Sequence, residues 1–343
     1  MSTSIEPLQL TPDDQVMLNA CPVCDSEDYL PFCKTTHEGI LVYHSRCLQC
    51  SLIYLNPRPL QSWYDSYFSD KYWETKAQKW DVNVSENTRQ WRKQLHRAER
   101  YLTFLKNAQL APRSGTRILE IGCAYGIIVQ TLANRFQGLA CGIEPSNVAR
   151  RFAGETVGVE IIGETSRSLE EWRPEEPVDL VIFSHVLEYF ADPNPVLAAI
   201  RRVISSRGLI LIETPNIHFM KAAHIFHPYC YSKLSLSALL KRHGFSPAAI
   251  SPDGLMPSLF SSGFFTMAAR AQSDSSKNAL LDRKRASPHT GSLISLGQAW
   301  FHLANRFPLN RIGGAINGHR RPLSPEAERR LEALSSKTDQ LQG

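Results

Sequence analysis

The chain has no run of about 18 apolar residues, so no transmembrane helix is expected in its 343 residues. Its opening, MSTSIEPLQLTPDDQ, lacks the basic stretch followed by an apolar one that marks a secretory leader, and a cytoplasmic location is expected. Basic residues never run longer than a few in a row, which leaves little for a nucleic-acid backbone to follow. No internal repeat occurs, which excludes a repeat architecture. The dinucleotide fingerprint GxGxxG is also missing.

What is present is ordinary for a globular protein: 43% hydrophobic and 21% charged residues. The length suits two domains plus an extension. The net charge is +5, and residues 271–343 carry all of it, with 11 Lys and Arg against 6 Asp and Glu. A solvated basic extension is expected there, in preference to a surface for nucleic acid or an anionic membrane.

Four of the eight cysteines form two CxxC pairs, Cys21-Pro22-Val23-Cys24 and Cys47-Leu48-Gln49-Cys50, with 22 residues between them. Paired spacing of this kind in a reducing compartment points to metal before disulfide. Four thiolates in two knuckles make a tetrahedral structural zinc site, and a segment this small needs such a staple to fold. Cys33 and His37 lie between the pairs as less favoured ligands.

Residues 1–60 are therefore expected to form a zinc-ribbon-like segment that ends at Asn56-Pro57-Arg58-Pro59. Residues 61–110 are expected to form a helical, aromatic-rich lid or connector. Trp63, Tyr64, Tyr67, Phe68, Tyr72 and Trp73 crowd its first part, and Trp91, Leu95, Ala98, Leu102 and Leu105 recur at helical spacing in its second. Residues 111–272 alternate short apolar runs with helical stretches. Strands are expected at 117–121, 139–143, 159–162, 178–184, 208–213 and 264–269, with helices at 126–135, 146–153, 194–204 and 236–243 between them. That rhythm predicts an α/β fold: a Rossmann-like, mostly parallel sheet with helices on both faces, preceded by the small zinc-ribbon-like segment. Residues 273–343 are expected to be a basic, partly helical extension, with a linker at 273–287 and amphipathic helices at 293–307 and 324–335.

The first strand delivers Glu120-Ile121-Gly122-Cys123-Ala124-Tyr125-Gly126, a tight glycine turn that opens a helix. Glycine lets a ligand approach the backbone and permits unusual φ values. The pattern is ExGxxxG, and an acidic residue at the strand end suits a cofactor with a positive amino acid group better than it suits a pyrophosphate. S-adenosylmethionine (SAM) carries an α-amino group and a sulfonium. The second strand ends in Gly142-Ile143-Glu144-Pro145-Ser146, where an acidic side chain can accept from both ribose hydroxyls.

These two segments, with the run from Val178 to Glu188 followed by Asp192-Pro193 and the run from Gly208 to Asn216, resemble the class I SAM-dependent methyltransferases. The resemblance covers about residues 95 to 270. It implies that Glu120, Gly122, Cys123 and Gly126 line the methionine part of SAM, that Glu144 holds the ribose, and that Ser184 and His185 face the sulfonium. The adenine contact stays open, because Gly163-Glu164-Thr165-Ser166 lacks the family's common Asp. The cysteine pairs, the segment Leu55 to Pro59 and the aromatic helix with Tyr64, Tyr67 and Tyr72 are similar to a subgroup that includes sugar C-methyltransferases. There the aromatic helix helps close the substrate pocket.

Methyl transfer needs a group that accepts the proton of the nucleophile, and histidine suits that task at neutral pH. His185, His218, His224 and His227 lie past the fourth and fifth strands. His224 to Ser232 resembles a family element in which a histidine precedes an aromatic residue and a serine at a helix start, which makes His227, assisted by His185, the expected catalytic residue. The subgroup's Glu before that histidine is Phe226 here, and the tail is short for the subgroup's further C-terminal domain. O-methylation of a small-molecule or sugar acceptor is therefore preferred to C-methylation. Two other functions compete: a nicotinamide-dependent oxidoreductase, disfavoured by the missing fingerprint, and a zinc-ribbon nucleic-acid or regulatory module on an inactive methyltransferase fold, supported only by the cysteines and the basic tail.

Overall fold

A computed structural model describes residues 9–37, 39–66, 84–216, 223–251, 263–272 and 322–342. Tyr67, Phe68, Tyr72, Trp73, His218, the linker at 273–287 and the helix at 293–307 lie outside these residues.

The strands are β1 (Gln15–Val16), β2 (Tyr29–His37), β3 (Ile40–Cys47), β4 (Ile53–Leu55), β5 (Arg58–Pro59), β6 (Arg117–Ile121), β7 (Leu139–Ile143), β8 (Glu160–Gly163), β9 (Val178–Ser184), β10 (Ile204–Pro215), β11 (Tyr229–Cys230), β12 (Phe245–Ile250) and β13 (Phe264–Ala271). The helices are α1 (Gln61–Ser66), α2 (Val84–Asn107), α3 (Ile127–Arg135), α4 (Asn147–Arg151), α5 (Ser168–Glu171), α6 (Asn194–Val203), α7 (Lys233–Arg242) and α8 (Pro325–Gln342).

Seven strands form the main sheet in the order β12-β13-β10-β9-β6-β7-β8. β8, β7, β6, β9 and β10 are parallel, and β13 runs antiparallel to both β10 and β12. The chain starts at β6, builds outward to β8, then crosses back to β9. Order reverses between β6 and β9, and ligands of open parallel sheets bind past the strand ends at such a switch point.

The central strands are buried on both faces, which explains their continuous apolar runs. Their period of two sorts the side chains. Leu119, Ile121, Val181, Phe183, Ile210 and Ile212 join one cluster with Leu197, Ile200, Leu236 and Leu240 of α6 and α7. Ile118, Leu180, Ile182, Leu209 and Leu211 join the opposite cluster with Ala98, Tyr101 and Leu105 of α2 and Leu132 of α3. By the same alternation Glu120, Ser184 and Glu213 emerge on the α2 side, at the strand ends.

The N-terminal segment folds into a second sheet, ordered β11-β4-β3-β2. Its fourth strand comes from residues 229–230, with Tyr229 opposite Tyr54. Cys21, Cys47, Cys50, Leu52 and Tyr54 belong to the same buried cluster as α6 and α7, with Cys24 packed against it. The described residues of this segment thus share buried contacts with the main fold.

Several elements differ from expectation, among them the short α5 and β11. β12 was not foreseen: it is an edge strand that holds Pro247, with a register shift between Pro247 and Ala249, and proline is tolerated at an edge. The helix expected at 146–153 is α4 followed by a π-helical turn, Phe152–Val157, ending at Gly158 with φ +86°.

Candidate functional site

The glycine turn is wound tightly onto the end of β7. The N–H groups of Gly122 and Cys123 both donate to the Ile143 carbonyl, at 2.8 and 3.0 Å, and that of Ala124 donates to Glu144 Oε2 at 2.8 Å. Gly122 and Gly126 sit at φ +69° and +72°, and Ala124 between them at +48°. A Cβ on Gly126 would stand 2.6 Å from Val159 Cγ2, and one on Gly122 would stand 2.6 Å from Val186 Cγ2. Both glycines therefore serve conformation and close packing. Cys123 turns its buried thiol against Gly142, where a Cβ would meet its Sγ at 2.5 Å, so what it can offer a ligand in the turn is backbone.

Glu120 and Glu144 end β6 and begin the loop after β7, and both are buried. Glu120 Oε2 accepts from Val129 N at 3.1 Å, in the first turns of α3. Burial pushes its carboxyl up to about 8 against that hydrogen bond. Glu144 Oε1 accepts from Ser146 N at 2.8 Å, so both its oxygens hold backbone donors. Burial pushes it up to about 7, opposed by the bonds from Ser146 and Ala124. Among the described residues neither carboxyl has an ion-pair partner within salt-bridge distance.

Past β9 and β10 lies a polar cluster faced by α2. Glu213 is buried and ringed by cations: Arg97 Nε at 3.1 Å, an Arg100 terminal nitrogen at 2.8 Å and His185 Nε2 at 3.0 Å. Burial opposes ionisation, yet the His185 hydrogen bond and the charges of His185, Arg100 and Arg97 hold its carboxyl below the usual value. Ser184 Oγ accepts from Arg97 at 3.2 Å and lies 2.9 Å from the Tyr101 hydroxyl. His185 adopts φ +57° and turns its Nδ1 to within 3.5 Å of Glu188 Oε1. Burial alone would lower its pKa, but the facing carboxylates of Glu188 and Glu213 hold it above the usual histidine value. Glu188 is 1% exposed, and among the described residues neither oxygen has a hydrogen-bond donor.

Arg97, Arg100, Tyr101, Glu188 and Glu213 were not singled out in the sequence. The signal for Glu213 was available, since it ends an apolar strand as Glu120 does. Arg97 and Arg100 stand three apart on a helix that also carries Arg92, Lys93 and Glu99, so spacing alone could not direct them to the sheet.

His227 lies elsewhere, on the loop before β11. Its ring is 4.0 Å from that of His224 and 4.8 Å from that of Tyr189, and His37 stacks on His224 at 4.9 Å. Burial and the charges of His227 and His37 push His224 down to about 3. Tyr189 is thus the bridge: its ring meets His227, and the preceding Glu188 approaches His185.

The four paired cysteines converge. Cys21 and Cys50 Sγ are 3.6 Å apart, Cys24 and Cys47 Sγ are 3.5 Å apart, and all four lie within 4.8 Å of one another. Cys50 N points at Cys47 Sγ at 3.5 Å, and Asp25 and Ser51, just after each pair, sit at φ +57° and +60°. Cys33 and His37 are not in this group.

Residues 91–250, somewhat under half of the chain, match a family model described as a methyltransferase domain. A ubiquinone biosynthesis O-methyltransferase of Pseudomonas fluorescens (strain SBW25) is 32% identical over 107 residues, which cover 30% of this chain and 46% of that one. Its counterpart in Klebsiella pneumoniae subsp. pneumoniae is 31% identical over 132 residues, covering 36% and 52%. The chain spans about half the length of these curated relatives. Among solved structures, magnesium protoporphyrin IX methyltransferase from Synechocystis PCC 6803 with bound SAH aligns at 16% identity and a TM-score of 0.43, over 62% of this chain and all of that one. A SAM-dependent methyltransferase from Mesorhizobium loti aligns at 15% and 0.39, over 48% and 96%. The main sheet with its helices on both faces has the Rossmann-like class I methyltransferase fold, and the four-cysteine segment precedes it. Among the described residues no helix is long and apolar enough to cross a membrane.

Proposed function

We propose that the chain is a SAM-dependent methyltransferase acting on a hydroxyl of a small-molecule or sugar acceptor. The observation that carries this is the pair of buried carboxyls, Glu120 and Glu144, at adjacent strand ends without ion-pair partners among the described residues. A buried carboxylate is costly without a compensating charge. An ammonium and a sulfonium supply that charge, whereas the pyrophosphate of a nicotinamide dinucleotide adds to the repulsion. The donor set therefore fits SAM and disfavours the oxidoreductase.

In this reading the turn from Gly122 to Gly126 holds the methionine part. Glu144 holds the ribose with the lone pairs that its two backbone bonds leave over, since a carboxylate accepts at about four positions. Ser184 and His185 face the sulfonium. SAM supplies the electrophilic methyl, and the chain aligns the acceptor oxygen and takes its proton. Glu213 fixes the His185 ring through Nε2, Arg97 and Arg100 keep Glu213 ionised, and Nδ1 on the Glu188 side is the proton-accepting atom. His227 is the second base, set beyond Tyr189 on the acceptor side. The curated relatives are named for O-methylation, in keeping with a hydroxyl acceptor. The sugar alternative rests on the likeness of the N-terminal half to the sugar-modifying subgroup.

Cys21, Cys24, Cys47 and Cys50 are proposed to hold one structural zinc. Tetrahedral zinc with bonds of about 2.3 Å spaces its sulfurs roughly 3.8 Å apart, close to the two measured pairs. Such a site of free thiolates suits a reducing cytoplasm.

Calorimetric titration tests the cofactor. SAM should bind and NAD should not, and Glu144→Ala should weaken SAM at least tenfold, about 1.4 kcal/mol or more. Unchanged affinity in that variant would sink the ribose role. Elemental analysis should find one zinc per chain as purified.

A further inference from the structure

We infer that helix α8, at the end of the basic extension, braces the cofactor loop, and that Tyr125 is the positioning residue through which it acts. The inference rests on the SAM site proposed above.

Tyr125 lies between two residues in left-handed backbone, Ala124 at φ +48° and Gly126 at +72°. A non-glycine residue in that region persists only where its surroundings hold it. The Tyr125 ring packs edge-on against Phe152 at 5.3 Å and against Trp91 at 6.4 Å, and those two rings stack at 5.2 Å. The three rings join three segments: α2, the glycine turn, and the helical stretch that begins just after Glu144. Both halves of the proposed cofactor site are thereby tied to one aromatic group.

Helix α8 closes that group. Leu323, Ala327 and Leu331 are 5%, 4% and 4% exposed and share its buried cluster with Trp91, Leu95, Tyr125, Ile127 and Ala149. The contact has a fixed register. Arg92 makes two bonds to the Glu328 carboxylate, at 2.7 and 3.3 Å. Ser324 N donates to Glu99 Oε1 at 3.0 Å, and Ser324 Oγ caps the helix by accepting from Ala327 N at 3.2 Å. Without α8, which contacts α2 and the Phe152–Val157 turn, the cluster that joins Trp91, Tyr125 and Ile127 would open to water, and the turn would lose packing that selects its conformation. Apparent affinity falls in proportion to the fraction of molecules whose site is formed. The coupling is reciprocal: a ligand that fixes the turn must also tighten the docking of α8.

The test uses the full chain, with SAM as the probe. Leu331→Asp should raise the dissociation constant for SAM at least fivefold, while Leu331→Met stays within twofold of wild type. When SAM saturates the protein, hydrogen exchange over residues 324–336 of the wild type should slow by more than the general slowing that binding to the folded state gives every element, an excess that a merely structural helix would not show. Equal SAM affinity in Leu331→Asp, or exchange over 324–336 slowed by no more than this general amount, overturns the brace. If Leu331→Asp does not fold, the wild-type exchange measurement decides alone. A wild type that binds no SAM overturns the cofactor reading itself, a result distinct from SAM binding without coupling to α8.

Discussion

Glu120 and Glu144 read alike in the sequence, each an acidic residue where a buried strand runs out. Their hydrogen bonds separate them. Glu144 uses both oxygens as acceptors, from Ala124 and Ser146, so an amide there would set a donor against a donor. Glu120 has one bond, from Val129, and a Gln can keep it. The folded-state carboxyl of Glu120 is pushed up to about 8, above the value of about 4.3 for an unfolded chain. The folded state therefore holds this proton more tightly, and stability falls as pH rises from about 4.3 through 8. Glu120→Gln should leave the melting temperature of the ligand-free protein unchanged near pH 4.5 and raise it at pH 9. Thermal melts across that range check this, and equal melting of the two proteins at pH 9 would refute the buried acid. The strand-end acids were legible because termination of an apolar run is a one-dimensional signal. The burial of the Cys123 thiol against Gly142 was not, because it depends on how two strands meet.

At the scale of elements, the parallel strands, α3, α6 and the body of α7 with its Gly244 stop were readable from periodicity, whereas the short α5 and the first turn of α7 with its Ser232 cap were not. β12 escaped because Pro247 argues against a central strand and says nothing against an edge. β11 escaped because two residues carry no period. Close approach of elements makes its own prediction. The turn after β6 leans onto β7 so tightly that a Cβ on Gly142 would lie 2.5 Å from Cys123 Sγ, 3.1 Å from its Cβ and 3.2 Å from Val159 Cγ1. Overpacking of this kind costs about 1–3 kcal/mol. Gly142→Ala should destabilise the protein by about that amount, and Cys123→Ala should recover part of the loss by vacating the space. Denaturant melts of the two single variants and the double variant measure the coupling. Strictly additive effects would mean that the turn does not press on β7.

The whole molecule is less modular than its sequence. The cysteine pairs advertise a separable small domain, and only the fold shows that it is stitched in. Its sheet borrows β11 from the half that holds the main sheet, the Ser232 hydroxyl donates to the Cys50 carbonyl at 3.4 Å, Arg242 pairs with Asp25 at 3.0 Å, and its buried residues share a cluster with α6 and α7. A metal that clamps the two knuckles would therefore stabilise more than residues 9–60. Without it β3 and β4 lose their anchor, β11 loses its partner, and the loop that carries His227 loses the strand that follows it. Structural zinc can contribute on the order of 10 kcal/mol of binding energy to a folded state. A loss of even about 3 kcal/mol lowers the melting temperature of a domain this size by roughly 6–12 °C. Chelation, or Cys21→Ser, should therefore lower the melting temperature by about 10 °C. In the intact protein, zinc release and loss of the near-ultraviolet aromatic signal should occur in one transition, because the core that would have to divide is continuous. A zinc-release step well below a second, main-sheet transition would show instead that the N-terminal segment unfolds alone, and that β11 is a docked edge and no part of a common core.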